Sequence, residues 1–504
     1  MAFQAPLSHE GPCNRRSNRI GLPDRRGPHR TDPFARPLSP SGAHAPTQLL
    51  SPIRVAGPSL FGVIHAQAER IPHKLAVRFL GDHDHGPACL DYAAVDGRAR
   101  SLAAHLQAAG AHGERVLIVL PPSSDYVIAL LACLYAGATA VPAYPPRNRG
   151  LAKLAAVALD AQARFALASP AAIEKLAAPD AASDTLSALH WLVATDIDAA
   201  DADAWTPPEV DPAAPALLQY TSGSTSAPKG VRLSHANFLA NIRALAERNR
   251  ARPDDRVVSW LPPFHDMGLV CGILMPACTG IESTLMAPGT FLQRPLRWLA
   301  AIARHGGTIS GGPNFAFELC VRRRPAPEQL AMLDLSSWRV AFCGAERVRA
   351  ETMQRFADAF APAGFRRAAL TPCYGLAEAT VAVTFGALGR GVQALALDER
   401  ELDQGLRRPP GAGADPGRLR QASAGLRRAH RRPADPGDAA GGPGRRDLGA
   451  QPQRCRRILE RAGRRDGRGR ARPAQCQRVP RPGRGGCAGP AAGLPAHRRP
   501  GLPA

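Results

Sequence analysis

The chain reads Leu218-Gln-Tyr-Thr-Ser-Gly-Ser-Thr-Ser-Ala-Pro-Lys-Gly-Val231 where an apolar strand runs into a loop of hydroxyl groups and glycine. Gly223 lets the backbone approach an anion closely, and successive backbone N–H groups in such a loop can form an anion nest. Lys229 adds a mobile positive charge. This composition predicts a phosphate-binding loop, although the usual Gly-x-x-x-x-Gly-Lys-Ser/Thr pattern is absent. The alternative, a flexible Ser/Gly linker, does not normally lie between an apolar strand and a Pro-Lys-Gly turn. Further hydroxyl donors in the loop are Thr221, Ser222, Ser224 and Thr225.

The region around this loop alternates between helical and strand patterns. Residues 91–109 carry apolar side chains at helical spacing, and residues 126–135 form a second apolar helical segment. Short apolar runs at 115–120 and 138–142 are typical of buried strands. Strand–helix–strand alternation predicts an α/β fold in which parallel sheets are covered by helices.

Composition divides the chain into three parts. Residues 1–50 are rich in Pro and Gly, lack hydrophobic periodicity and are expected to be disordered, or to be translated from upstream of the true start. Residues 51–405 have the patterning of a globular domain. Residues 406–504 contain no Phe, Trp, Tyr, Met or Lys, so they cannot bury enough apolar surface to offset the entropy of ordering and should form a disordered tail.

The net charge of +22 suggests a nucleic-acid partner, but its distribution argues against one. Residues 406–504 hold 24 Arg against 6 acidic residues, and residues 1–50 hold 7 Arg against 3. These two ends account for the whole excess, so residues 51–405 are neutral overall. The bulk charge therefore says nothing about what the central part binds, and no nucleic-acid partner is expected.

The location follows from what the sequence lacks. It contains no apolar run of about 18 residues that could span a membrane, and its N-terminus lacks the apolar stretch of a secretory signal. The 11 cysteines are scattered, without a Cys-x-x-Cys pair or zinc-like spacing. We expect a cytoplasmic protein with reduced, mostly buried thiols.

The loop at 218–231 resembles the phosphate-binding loop of adenylate-forming enzymes, the superfamily of acyl-CoA synthetases and adenylation domains. The resemblance implies a large domain with two helix-covered β-sheets and part of a small barrel. It also implies that the loop holds the β- and γ-phosphates of ATP while a substrate carboxylate attacks the α-phosphate. Ser226 stands where many relatives have Gly. Fatty acyl-AMP ligases often carry Ser there, which favours that narrower class.

A histidine follows in Ser259-Trp-Leu-Pro-Pro-Phe-His-Asp-Met-Gly-Leu269. From its chemistry alone, His265 could simply be structural. It matches the histidine that lines the carboxylate site in these ligases, which implies that its ring orients the acyl carboxylate, a positioning role. Asp266 is expected to fix the local turn or the tautomer of His265. By resemblance, His265 and Lys229 are the catalytic candidates.

Two further segments, 291–299 and 311–320, closely resemble fatty acyl-AMP ligase sequence. Residues 321–337 match the insertion that separates acyl-AMP ligases from acyl-CoA synthetases and that is thought to hinder closure for CoA thioesterification. Met275, Phe315 and Phe317 are candidates for the wall of an acyl tunnel. Ordinary core packing is an equally good interpretation of each of them.

The nucleotide wall is expected at Val340-Ala-Phe-Cys-Gly-Ala-Glu346 and Thr371-Pro-Cys-Tyr-Gly-Leu-Ala-Glu-Ala-Thr380. Strand C-termini of this kind are where parallel-sheet proteins place ligands. The resemblance implies that Tyr374 stacks on adenine and that Glu378, together with Thr221, holds Mg²⁺. The other residues implied to contact the nucleotide are Gly344, Ala345, Glu346, Gly375, Leu376 and Ala377. Cys343 and Arg347 stand where relatives often have Asn and Pro.

The family normally continues with a Gly-Glu-Ile-Trp segment, a Thr-Gly-Asp segment and a small lid domain that carries a catalytic lysine. None of these is readable after about residue 405. Back-translating residues 445–459 with suitable synonymous codons and starting one base later restores Gly-Glu-Ile-Trp, and the same shift at 494–504 restores Thr-Gly-Asp. We therefore hypothesise a one-base frameshift between about Gln404 and Arg445.

Three functions remain open. The first is a fatty acyl-AMP ligase that uses ATP and Mg²⁺ and passes the acyl group to the phosphopantetheine thiol of an acyl carrier protein or of a polyketide or peptide synthetase carrier domain. The second is an acyl-CoA synthetase, with CoA as acceptor. The third is a non-enzymatic product, either a degraded ligase or a basic nucleic-acid binder. The insertion at 321–337 favours the first, and the sequence does not indicate acyl chain length, pathway or oligomeric state.

Overall fold

A computed structural model describes residue 53 and residues 55–81, 87–145, 150–176, 184–221, 228–398 and 419–423. The helices are α1 (Leu60–Arg70), α2 (Tyr92–Ala108), α3 (Ser124–Tyr135), α4 (Leu151–Ala161), α5 (Pro170–Leu176), α6 (Asp184–Ser187), α7 (His235–Arg248), α8 (Asp266–Leu269), α9 (Met275–Thr279), α10 (Pro288–Gln293), α11 (Leu296–His305), α12 (Asn314–Arg322), α13 (Pro327–Ala331) and α14 (Ala350–Phe360).

The strands build two large sheets and one small one. They are β1 (Leu75–Leu80), β2 (Ala88–Asp91), β3 (Arg115–Val119), β4 (Thr139–Pro142), β5 (Phe165–Ala168), β6 (His190–Val193), β7 (Pro215–Thr221), β8 (Lys229–Ser234), β9 (Arg256–Ser259), β10 (Glu282–Met286), β11 (Ile309–Gly312), β12 (Val340–Cys343), β13 (Leu370–Gly375), β14 (Ala382–Phe385), β15 (Ala394–Asp398) and β16 (Leu419–Ser423).

The first large sheet has the order β6-β5-β3-β4-β7-β8. Strands β3 to β7 of this sheet run parallel, and the edge strand β8 pairs with β7 as an antiparallel hairpin. The inner strands read as continuous apolar runs because both faces of the sheet are covered. The predicted strands at 115–120 and 138–142 are confirmed as β3 and β4.

The second large sheet has the order β14-β13-β12-β11-β9-β10-β1-β2. Its inner strands are parallel, and the edge strands β2 and β14 are antiparallel to their neighbours. Helix α3 lies between the two sheets and contacts β1, β3 and β4. Residues 126–135 of this helix are all buried, as expected for a helix that is apolar all round.

Both predicted helices are confirmed, α2 at 91–109 and α3 at 126–135, with caps that the sequence supplies. The side chains of Asp91 and Ser123 accept hydrogen bonds from the backbone N–H groups of Ala94 and Tyr126, at 2.7 and 3.1 Å. The expected α/β fold with two helix-covered sheets is therefore confirmed.

The smallest sheet pairs β15 with β16 in antiparallel register, from Ala394 opposite Ser423 to Asp398 opposite Leu419. Of the expected part of a small barrel, the described residues contain this two-stranded sheet. The rest of the expected tail at 406–504 and the whole of residues 1–50 lie outside the described residues. None of the described helices has the length and apolar character that a membrane crossing requires.

Candidate active site

The hairpin β7–β8 carries the predicted phosphate loop. Thr221 at the end of β7 pairs with Lys229 at the start of β8, so both flanks of the loop are held in ladder register. Lys229 is exposed. The intervening candidates Ser222, Gly223, Ser224 and Thr225 lie outside the described residues, as does the side chain of Thr221. The structure thus places the two ends of the loop at one edge of the first sheet.

Gln219 links this hairpin to the segment that carries His265. Its side chain is 2% exposed, and its Nε2 donates to the carbonyl oxygen of Phe264 at 2.7 Å. Its Oε1 is buried and accepts no hydrogen bond from the part of the chain that is described. A single amide therefore fixes the residue before His265 relative to the strand that enters the phosphate loop. The sequence does not predict this role of Gln219, because nothing local marks a glutamine in a strand as a long-range tether.

His265 caps the short helix α8 and projects into solvent from a fixed turn. Its backbone N–H donates to the carbonyl of Pro262 at 3.1 Å, and its own carbonyl accepts from Leu269 at 2.8 Å. Its Nδ1 lies 2.7 Å from Oδ1 of Asp266, and the ring is 56% exposed. The Asp266 hydrogen bond raises the pKa of His265, while partial burial opposes this rise.

Asp266 fixes the local turn, one of the two roles expected of it. The same Oδ1 accepts from the backbone N–H of Met267 at 2.6 Å, which closes the first turn of α8. With Nδ1 directed at Asp266, Nε2 is the nitrogen of His265 that remains available to a ligand. This geometry suits a ring that holds a carboxylate.

The adenine wall is expected where β12 and β13 end side by side. The two strands are parallel, with Cys343 opposite Pro372, so Gly344, directly after β12, and Tyr374, near the end of β13, lie at the same edge of the sheet. A Cβ on Gly344 would lie 2.7 Å from Sγ and 2.9 Å from the carbonyl oxygen of Cys373, so the two strands pack too closely for a side chain there. Ala345 adopts a φ of 63°, a conformation rare for a residue with a Cβ. Glu346 is exposed, and its Oε1 accepts from the backbone N–H of Phe315 at 2.6 Å.

Tyr374 presents an aromatic face to solvent at the end of β13, where it is 50% exposed. Gly375 follows, and a Cβ there would lie 1.6 Å from the carbonyl oxygen of Val381, so only glycine fits. Leu376 precedes a single 3₁₀ turn over Ala377–Ala379 in which Ala377 is buried and Glu378 is exposed.

The structure brings the principal candidate segments together. Strand β8, which begins at Lys229, contacts the 3₁₀ turn that carries Glu378. Gln219 of β7 in turn holds the residue before His265 through its hydrogen bond to the carbonyl of Phe264. The phosphate hairpin, His265 and the Tyr374–Glu378 turn therefore border one region at the carboxyl ends of the strands.

The donor chemistry fits a magnesium nucleotide. Glu378 offers an exposed carboxylate that has no hydrogen-bond or ion-pair partner among the described residues. No group of three His, Cys, Asp or Glu side chains forms a metal cluster in the described ranges. Mg²⁺ is usually held by one or two carboxylates together with substrate phosphates rather than by an all-protein cage, so a lone exposed carboxylate beside a phosphate hairpin suits it.

The candidate acyl-wall residues differ in their surroundings. Phe317 is fully buried and packs against Trp298, Trp338 and Phe356 at ring-centroid distances of 5.5, 6.3 and 5.0 Å. These contacts are those of a core residue. Phe315 is 37% exposed, whereas Met275 is buried. The insertion at 321–337 contains α13 and is anchored by buried Leu330 and Leu335.

Two helix-covered α/β sheets, with a hydroxyl- and glycine-rich sequence between β7 and β8, are typical of a nucleotide-binding enzyme domain. The sequence matches the family described as AMP-binding enzyme over residues 64–412, and the chain belongs to that family.

Its relatives include fatty acid ligases and adenylyltransferases. The chain is 41% identical over 334 residues to the medium-chain-fatty-acid acyl-carrier-protein ligase JamA of Moorena producens, covering 65% of this chain and 56% of JamA. It is 36% identical over 359 residues to the 4-hydroxyphenylalkanoate adenylyltransferase of Mycobacterium tuberculosis, covering 69% and 58%. The chain therefore spans little more than half the length of these curated relatives.

Solved structures agree with this assignment. The fatty acyl-adenylate ligase of Legionella pneumophila, in complex with acyl adenylate and pyrophosphate, superposes with a TM-score of 0.67 at 37% identity and covers 74% of this chain and 64% of that one. A second structure of a fatty acid AMP ligase from the same organism gives a TM-score of 0.68 at 37% identity, covering 73% and 63%.

Proposed function

We propose that this protein activates a fatty acid as its adenylate, with ATP as the nucleotide. A carboxylate oxygen forms a bond to the α-phosphorus, the bond from that phosphorus to the bridging oxygen breaks, and pyrophosphate leaves. The observation that carries the proposal is the convergence of the phosphate hairpin, His265 and the Tyr374–Glu378 turn. The names of the relatives support a fatty acid as the substrate class.

The phosphate loop between β7 and β8 would supply positive charge and N–H donors. Lys229 and the backbone N–H groups around Gly223 would neutralise the triphosphate, aided by hydroxyls. The hydroxyl groups are those of Thr221, Ser222, Ser224 and Thr225. Glu378 and Thr221 would hold Mg²⁺, which when bound neutralises charge on the phosphate oxygens.

The remaining residues position the two reactants. In its protonated form, His265 would donate from Nε2 to the substrate carboxylate and hold it in line with the α-phosphorus, which lowers the entropic part of the barrier. Tyr374 would stack on adenine. The backbone around it and at the end of β12 would line the base, through Gly344, Ala345, Glu346, Gly375, Leu376 and Ala377.

The proposed acceptor is a carrier-protein phosphopantetheine thiol, since one relative is named as an acyl-carrier-protein ligase. CoA is the second candidate. A thiol-acceptor assay that offers holo carrier protein and CoA in separate reactions distinguishes them. The ordered insertion at 321–337 favours the carrier protein.

Nucleotide binding by the 504-residue chain tests the site directly. Calorimetric titration should detect ATP with Mg²⁺, and Tyr374→Ala should weaken it by roughly 1–3 kcal/mol, the range for loss of aromatic–base stacking. Tyr374→Phe retains the ring and is the matched control. Equal affinity in wild type and Tyr374→Ala would contradict the assigned wall.

Turnover tests the proposed reaction separately from nucleotide binding. Pyrophosphate release that depends on both fatty acid and ATP measures acyl-AMP formation. A chain that binds ATP but releases no pyrophosphate would contradict the proposed activation.

A further inference from the structure

The backbone leaves the 3₁₀ turn at Glu378 through a strained γ-turn. Thr380 has φ 75° and ψ −65°, and the N–H of Val381 donates to the carbonyl of Ala379 at 3.1 Å. This positive-φ γ-turn is rare, and a β-branched residue in it is a conformational outlier. Thr380 is 2% exposed, so its surroundings must hold it there.

One side chain makes three hydrogen bonds across this turn. The Nδ2 of Asn241 donates to the carbonyls of Ala379 and Ala382 at 3.3 and 3.0 Å. Its Oδ1 accepts from the N–H of Ala382 at 3.2 Å. Because Nδ2 faces two carbonyl groups and Oδ1 faces one N–H group, these partners fix the orientation of the Asn241 amide. Asn241 is 6% exposed, so water does not compete for these bonds.

Asn241 lies on the element that continues from the phosphate hairpin. Helix α7 begins at His235, directly after β8 ends at Ser234, and Ser234 and Asn237 close it with a capping box. Farther along α7, Nη2 of Arg248 donates to the carbonyl of Phe385 at the end of β14. Helix α7 is thus hydrogen-bonded to both ends of β14, the strand that follows the γ-turn.

We propose that Asn241 is a positioning residue that holds the strained turn at Thr380 and so sets the position of Tyr374 and Glu378 relative to the phosphate hairpin. This role deepens the proposed function and rests on it. Without the amide, the turn relaxes toward an ordinary backbone conformation. Glu378, two residues before Thr380, then moves with it.

The three hydrogen bonds of Asn241 to Ala379 and Ala382 are called the Asn241 clamp. Asn241→Asp tests this clamp with almost no change in the shape of the side chain. The carboxylate can still accept from Ala382, but it faces the carbonyls of Ala379 and Ala382 without a proton to donate. We expect ATP–Mg²⁺ affinity at pH 8 to fall by about tenfold, the consequence of losing hydrogen bonds to buried groups. Affinity should recover as the pH falls, because a protonated carboxyl again donates to one carbonyl.

Ile242→Ala is the matched control, since Ile242 is the next residue of α7 and is fully buried. It should lower the thermal midpoint as much as Asn241→Asp or more, yet leave nucleotide affinity and its pH profile close to wild type. Loss of affinity in both variants in proportion to the loss in midpoint would overturn the positioning role.

Hydrogen exchange without nucleotide separates this inference from the proposed function. Asn241→Asp should speed exchange at residues 374–382, whereas Ile242→Ala should not do so selectively. If wild type fails to bind ATP but the selective exchange is seen, the nucleotide assignment fails and the clamp stands. Unchanged exchange at 374–382 in Asn241→Asp would refute the clamp.

Discussion

The adjacent residues His265 and Asp266 interact directly, and this interaction sets the pKa of the His265 ring. Asp266 shares one carboxylate oxygen between the ring of His265 and the backbone N–H of Met267, so the ring and the first turn of α8 are fixed together. The hydrogen bond favours the protonated ring and raises its pKa. Because the folded-state pKa lies above the unfolded value, the charged form persists to higher pH than in a free histidine.

Asp266→Asn should lower the pKa of His265, since an amide neither carries the charge nor accepts as strongly from the ring. Titration of the His265 ring signal by NMR measures the midpoint, and His265→Gln assigns that signal. A midpoint unchanged by Asp266→Asn would mean that the carboxylate does not control the ring.

His235 contributes to stability through a neutral ring. Its Nδ1 accepts from the backbone N–H of Leu60 at 3.2 Å, and burial lowers its pKa from 6.5 to about 4. A lowered folded-state pKa gives stability that is complete above pH 6.5 and is lost as the pH falls toward 4.

His235→Asn keeps an acceptor for Leu60 but removes the titration. Wild type should lose about 2 kcal/mol of unfolding free energy through His235 between pH 7 and pH 5, and the variant should lose correspondingly less. Urea unfolding at the two pH values measures the difference. Burial also lowers the pKa of His305, but His305 is present in both proteins, so its contribution to the pH dependence cancels in the comparison. Parallel pH dependences would contradict the assignment.

At the scale of elements, the helix α8 is placed by a contact that permits only glycine. A Cβ on Gly268 would lie 2.1 Å from the carbonyl oxygen of Pro262, the same carbonyl that accepts from the N–H of His265. Close backbone packing thus fixes the loop before His265 against the helix after it.

Gly268→Ala should push this loop away and destabilise the protein by about 1–3 kcal/mol, the range for overpacking. Gly289→Ala in α10 is the control, since a Cβ there meets nothing within 4 Å. Alanine is the better helix former, so this control should be neutral or slightly stabilising. Equal urea midpoints for the two variants would contradict the packing argument.

At the scale of the whole molecule, charge and fold are separated along the chain. The net charge of +22 comes from the two ends, while the region that matches the AMP-binding enzyme family is close to neutral. A basic end of this composition would bind polyanions weakly and with steep salt dependence. This basic end therefore gives no reason to infer that the nucleotide site binds nucleic acid.

The hypothesis of a one-base frameshift between about Gln404 and Arg445 can be tested at the level of the gene. Sequencing the gene across codons 400–450 should show a position where one inserted or deleted base restores the Gly-Glu-Ile-Trp and Thr-Gly-Asp segments in order. Codons that forbid these shifted readings would end the hypothesis.

Sequence alone determined the α/β class, the approximate bounds of α2 and α3 and the order of the nucleotide motifs, because hydrophobic periodicity and motif order can be read locally along the chain. Only the tertiary structure decided that Gln219 tethers the segment of His265, that Phe317 belongs to the core and that Asn241 clamps the turn at Thr380. Asn241 lies 138 residues from Ala379 in the chain. A contact over such a distance depends on how α7 packs against the second sheet, and no local pattern in either segment encodes that packing.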